Sequence, residues 1–170
     1  MSRSAGHVEL TPYVPERDAA LLESWLQRPH VSAWWGDPRK AFDEVAQPPV
    51  DGGEELIAVD GMPVGYVRWQ VPAREELDAA GLYEVPDDVI DIDIAIGEVD
   101  SVGRGVGSRA LSVLRERLMR GGATTIMLAT SVDNLRAVRA CEKAGFVRRR
   151  EFIDTDGGVY CLMMWEARPG

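Results

Sequence analysis

Val89-Ile90-Asp91-Ile92-Asp93-Ile94-Ala95-Ile96 is followed a few residues later by Gly103-Arg104-Gly105-Val106-Gly107. The first stretch has a period of two, which predicts a β-strand with its isoleucines on one face and Asp91 and Asp93 on the other. After the glycines, Val106, Ala110, Val113, Leu114 and Leu118 recur at helical spacing until Gly121-Gly122, so the turn opens a helix. Glycines at a helix start let successive N–H groups turn inward, and the helix dipole adds about half a positive charge, so the unit can hold an anion. No Gly-Lys-Ser/Thr follows, which excludes a P-loop. The turn comes after the fourth predicted strand and not the first, which excludes the opening turn of a dinucleotide fold. Three alternate glycines alone fit a purely structural turn equally well.

Upstream, His7 to Thr11 alternates as a first strand, and Pro15 opens a helix with Ala19, Leu22 and Leu26 on its apolar face. His30 to Gly36 carries Trp34-Trp35, and a short helix begins near Pro38. Glu54–Val59 and Val64–Gln70 read as strands joined by a turn at Asp60-Gly61-Met62-Pro63. Residues 71–88 form an acidic excursion with a helical turn around Arg74–Ala80, long enough to suggest a lid. Downstream, Thr124–Thr130 is a β-branched strand. Ser131 or Asp133 can cap a helix that runs to Lys143 and ends at Gly145, and Phe146–Ile153 with Val159–Trp165 closes the chain as a hairpin. The order predicts a single mixed α/β domain, with residues about 7–88 and about 89–166 as its two halves.

The 170 residues suit one domain. Cys141 and Cys161 are too few for a disulfide framework, and His7 and His30 have no metal-ligand spacing, so no metal is expected. No window approaches a membrane span and the N-terminus has no signal-peptide core, so a cytoplasmic protein is expected. The net charge of −9 is unevenly spread. Between Asp37 and Asp100 seventeen acidic residues face four basic ones (Arg39, Lys40, Arg68, Arg74), while Arg104 to Glu151 has eleven basic to four acidic. This split is compatible with a solvated surface, and also with a polyanionic cofactor held by one half and a cationic substrate drawn in by the other. A basic stripe interleaved with aromatics is missing, which argues against nucleic acid.

Asn134-Leu135-Arg136-Ala137-Val138-Arg139-Ala140-Cys141-Glu142-Lys143-Ala144-Gly145-Phe146, following the Gly103–Gly107 turn, resembles the coenzyme A site of the GNAT acetyltransferase superfamily. The resemblance covers nearly the whole chain, about Leu10 to Trp165. It implies an acetyltransferase domain, a mixed sheet with helices on both faces, and acetyl-CoA as cofactor. It places Gly103, Arg104, Gly105, Val106, Gly107 and Ser108 around the pyrophosphate, Asn134 and Cys141 near the pantetheine arm, and Ile94, Ala95 and Ile96 along a strand that splays from its neighbour. Within the superfamily, His30-Val31-Ser32-Ala33-Trp34-Trp35-Gly36 and Ile92-Asp93-Ile94-Ala95-Ile96-Gly97-Glu98 are similar to elements of aminoglycoside 6'-N-acetyltransferases. That likeness puts Asp93 at the proposed general base. Siderophore-pathway acyltransferases share part of the pattern.

Asp91 and Asp93 alone read equally as a solvent-facing acidic row on an edge-like strand. A carboxylate beside an acetyl group can also accept an ammonium proton. Trp35 is either a core anchor or an acceptor-lining ring. Two departures matter. Cys141 stands where many members have a Tyr, so the thiol is either a proton donor or packing. Ala129 stands where related aminoglycoside enzymes carry an Asp, which leaves Glu84, Asp91 and Glu98 as candidate anions for the acceptor. The expected activity is acetyl transfer to a cationic small-molecule amine by a monomer or homodimer. The alternatives are acylation of a hydroxylated lysine and a non-catalytic acyl-CoA sensor.

Overall fold

Seven strands form one sheet in the order β1-β2-β3-β4-β5-β7-β6 in the computed structural model, which describes residues 6–168. The elements are β1 (Val8–Pro12), α1 (Pro15–Leu26), α2 (Pro29–Trp35), α3 (Pro38–Val45), β2 (Gly53–Val59), β3 (Met62–Gln70), α4 (Arg74–Ala79), β4 (Ile90–Ile96), α5 (Val106–Arg120), β5 (Thr125–Ser131), α6 (Leu135–Lys143), β6 (Val147–Ile153) and β7 (Val159–Glu166). A 3₁₀ turn at Val99–Ser101 lies between β4 and α5. Every neighbouring pair of strands is antiparallel except β4–β5.

Helices cover both faces. On the back, α5 and α6 bury Val106, Ala110, Leu114, Val138 and Cys141 against Ile92, Ile126 and Leu128. The front has two separate covers. Leu22, Trp25 and Leu26 of α1, with Val31, Ala41 and Val45, pack on Leu56, Tyr66 and Ala95. Residues 77–89 pack Leu77, Leu82, Val85 and Val89 on Met127, Leu162 and Met164. Burying each large apolar side chain contributes about 1.5–3 kcal/mol, so both covers are firmly seated. The acidic excursion is therefore docked. Arg74 pins it by donating to the carbonyls of Leu82 and Val85 and pairing with Asp78 and Asp87.

Three expectations are corrected. The Trp34-Trp35 segment is itself a helix, α2, opened by Pro29 at its first turn and ended at Gly36, where φ is 81°. The cap of α6 is Asn134 and not Ser131 or Asp133. Its Oδ1 accepts from the Ala137 N–H at 3.2 Å, the reach to the third helical residue that a cap requires. And β4 is a central strand, so its acidic row does not lie on an edge.

Candidate active site

The two front covers leave a gap between them, and β4 and β5 form its floor. These strands pair in parallel only at Ile90–Ile126 and Asp91–Met127, after which they part. Ala129, in the middle of β5, is exposed, as is Asp93 in β4. Exposed residues at the centre of a seven-stranded sheet mark the floor of a recess.

The backbone of β4 beyond Asp91 faces this opening in a specific way. A Cβ on Gly65 would lie 2.5 Å from the Ala95 carbonyl oxygen, so that carbonyl points at β3 and Gly65 must lack a side chain. Strand alternation then turns the polar backbone groups of Ile94 and Ile96 towards the β5 side. Two side chains of α2 meet them there. Trp35 Nε1 donates to the Ile94 carbonyl at 3.2 Å, and His30 Nε2 lies 2.9 Å from the Ile96 carbonyl. A carbonyl only accepts, so His30 Nε2 carries the proton. The carbonyl side of the open edge is thus occupied, and its N–H groups are left facing the opening.

Asp93 opens to solvent at the bottom of the recess, with protein mass around it. The resulting loss of hydration pushes its carboxyl up to about 6; nearby Arg68 opposes the rise and Glu44 adds to it. Burial raises the Asp91 carboxyl well above the ordinary range too, reinforced by Asp93, Glu76 and Asp154. Among the described residues neither side chain has a cation within ion-pair distance.

On the back of the opening stands the glycine turn. Gly103 and Gly105 have φ of 76° and 80°, and a Cβ on Gly103 would touch nothing, so backbone conformation and not crowding selects these glycines. The N-terminus of α5 has no side-chain cap and no acidic residue in its first turn. Its leading N–H groups and dipole remain available to an anion. Arg104 Nε donates to the Asp100 carbonyl, and Ser108 Oγ to that of Gly105, which brace the turn. The residues present therefore fit a pyrophosphate-bearing cofactor, with the splayed edge of β4 leading away from the turn.

The structure draws together Asp91, Asp93, Trp35 and the Ile94–Ile96 edge; Gly103–Ser108 form the turn that opens α5, whose start approaches α6 at Gly107 and Ala140, and Asn134 caps α6. Three expected site residues lie apart. Glu98 gives one oxygen to Trp25 Nε1 and the other to Arg28, both at 2.9 Å, and these partners hold its carboxyl below the usual range. It ties α1 to the end of β4, helped by Gly97, where a Cβ would collide with the Trp25 ring. Glu84 pairs with Arg150 at 2.7 Å beside β6 and β7, away from Asp93. Cys141 is 1 % exposed in the back core, and burial pushes its thiol up to about 12, which fits packing and not proton donation.

Sequence reasoning passed over Arg68 and Glu44, and marked His30 only as part of the His30–Gly36 likeness. Arg68 was countable only as one of four cations in an acidic stretch. Its position opposite Asp93 depends on the β3–β4 register, which a nine-residue strand beginning earlier than expected did not disclose.

Residues 14–153 match the family model described as Acetyltransferase (GNAT) domain. The aminoglycoside N(6')-acetyltransferase type 1 of Klebsiella pneumoniae is 32 % identical over 163 residues, which span 89 % of this chain and 81 % of that protein. A crystal structure of the aminoglycoside acetyltransferase AAC(6')-Ib with coenzyme A superposes with a TM-score of 0.79 at 29 % identity, covering 94 % of this chain and 95 % of that one. A second, with coenzyme A and kanamycin, gives 0.79 at 28 % with the same coverage. With its splayed β4 edge, its uncapped glycine turn and a family match over most of its length, the chain belongs to the GNAT acetyltransferases.

Proposed function

We propose that this protein moves the acetyl group of acetyl-coenzyme A to the 6'-amine of an aminoglycoside. One observation supports the reading: β4 and β5 part just beyond Asp91, with Asp93, which has no contacting cation among the described residues, on the front of the opening and the uncapped N-terminus of α5 behind it. The similarity to enzymes acting on aminoglycosides supports the choice of acceptor. So does the acidic front: Asp91, Asp93, Glu44, Glu76 and Asp154 concentrate negative charge where a polycationic molecule would enter.

Acetyl-coenzyme A, when bound, supplies an activated thioester carbonyl. The amides of the Gly103–Ser108 turn would hold its pyrophosphate, and Asn134, at the start of α6, would meet its pantetheine arm. Asp93 accepts the proton of the acceptor ammonium at a carboxylate oxygen, which frees the amine's lone pair. The N–H groups of Ile94 and Ile96 donate hydrogen bonds at the splayed edge, where negative charge develops on oxygen. Trp35 fixes that edge from the side and presents its ring to the acceptor. Cys141, buried in the back core with its thiol pushed up, takes no part in proton transfer and would leave protonation of the departing thiol to solvent. In this reading residues about 7–88 bind the acceptor and about 89–166 the cofactor, and the protein works in the cytoplasm as a monomer or homodimer without nucleic acid.

Thiol release tests the acceptor. Kanamycin-like substrates bearing a 6'-amine should turn over, and analogues with a 6'-hydroxyl should not. Equal rates on both, or acylation of hydroxylated lysine alone, would remove the aminoglycoside reading.

A further inference from the structure

Arg68 is a charged residue on a central strand and is 5 % exposed. Its guanidinium is committed to α3's C-terminal end: Nη1 donates to the Val45 carbonyl at 2.9 Å and Nη2 to that of Gln47 at 2.7 Å. Glu54 on β2 lies 3.9 Å away, and its carboxylate also takes the Tyr66 hydroxyl. In the β3–β4 ladder Arg68 is the direct partner of Asp93, so the two side chains leave the same face of the sheet. They nevertheless make no contact ion pair. Fork donors spent on neutral carbonyls leave the net charge intact, and only Glu54 partly offsets it.

The other groups facing Asp93 work in the opposite direction. Glu44 approaches from α3 and Asp91 stands two residues away on the same strand. Glu76 and Asp154 add negative charge around Asp91, the exposed β5 residue on this floor is the uncharged Ala129, and the His30 ring of α2 is engaged with the Ile96 carbonyl. A carboxylate crowded by protein and like charges takes up a proton more readily and can then no longer act as a base. Arg68 is the one fixed positive charge among these groups.

We propose that Arg68 is a positioning residue for the transfer: a permanent buried cation that keeps Asp93 ionised without touching it, so that both carboxylate oxygens stay open to the acceptor ammonium. This rests on Asp93 being the proton acceptor. A contact ion pair would also ionise Asp93, but it would compete with the substrate's own ammonium for the same oxygens. A charge held one step away does not.

The test is the pH dependence of kcat/KM for a 6'-amine acceptor. Arg68→Met should move the acidic limb up by about one unit, the lower end of what a nearby opposite charge produces. Activity should therefore fall about tenfold below the limb, with the deficit closing as pH rises. Arg68→Lys, which keeps the charge but not the fork, should bring the limb back towards the parent. A limb that stays put in Arg68→Met, in protein that still melts higher with added coenzyme A, overturns the proposal. If Arg68→Met does not fold, Glu54→Gln serves instead: losing its offsetting charge should shift the limb down, and no shift is equally fatal. Asp93→Asn is the separate control. Parental turnover in that variant would refute the base itself, whereas a large loss there with an immobile limb in Arg68→Met would refute only the role of Arg68.

Discussion

Asp91 and Asp93 sit at the centre of the sheet with no cation in contact, whereas Glu84 and Glu98 each hold an arginine at its margins. All four were equally good candidate anions by residue type. The environment separates them. The central pair is hemmed in by protein and lies among like charges, so its carboxyls are shifted upwards; the marginal pair is hydrogen-bonded to donors, so its carboxyls are shifted downwards. Carboxylates already satisfied by the protein hold structure together, and unsatisfied ones are available for a ligand or a proton.

The most severe test of this contrast is Asp93→Asn. Turnover should fall by roughly 10²–10⁴-fold, the range for losing a general base, while coenzyme A binding persists. The deficit should narrow at high pH, where the acceptor amine is already deprotonated. In the parent, kcat/KM should climb as pH rises through about 6, where Asp93 ionises. Steady-state kinetics across pH checks both, and a flat profile would place the base elsewhere.

A smaller effect should follow from adding to the central set. Ala129→Asp puts a carboxylate on the exposed floor of the recess. It should lower KM for a polycationic aminoglycoside by about tenfold, the worth of one charge-assisted hydrogen bond, and the gain should shrink with added salt. A KM that does not respond would mean the acceptor's amines lie away from β5.

The central pair should also cost stability at neutral pH. A carboxyl raised by folding binds its proton more tightly in the native state. Its stabilising contribution is complete below the ordinary carboxylate value of about 4 and is lost as pH rises through the raised folded value, for Asp91 as for Asp93. Asp91→Asn should therefore raise Tm at pH 7 and leave it unchanged at pH 3.5, which thermal melts can read. For Glu98→Gln the expectation reverses: Tm should drop by about 2–4 °C, since a half-exposed ion pair contributes about 1 kcal/mol, with KM little altered. Glu84→Gln should be the mildest, with activity within about twofold of the parent, as for a surface pair.

Much of this was legible in the chain itself. The alternation of Ile90 to Ile96 gave β4, the glycines gave the turn, and the Asn134–Phe146 block gave α6 and the family. What stayed hidden depends on three-dimensional partners. Glu98 looks like a ligand-binding acid until Trp25 and Arg28, some seventy residues earlier, claim both its oxygens. Cys141 looks like a possible acid until α6 turns it into the core. Arg68 is ordinary in one dimension and gains its meaning from a cross-strand register. The helix α2 escaped because its seven residues are too few to show a 3.6-residue period.

The parting of β4 from β5 has a consequence for local stability. Central strands normally hold the most protected amides of a domain, since their exchange requires near-global opening. Here the amides of Ile94 and Ile96 face an opening in place of a neighbouring strand, so they should exchange with deuterium far faster than those of Ile126 or Leu128, at the same depth in the sheet. Cofactor binding would reverse this, and a seam of slow exchange should appear across the middle of the molecule as the opening closes on its ligand.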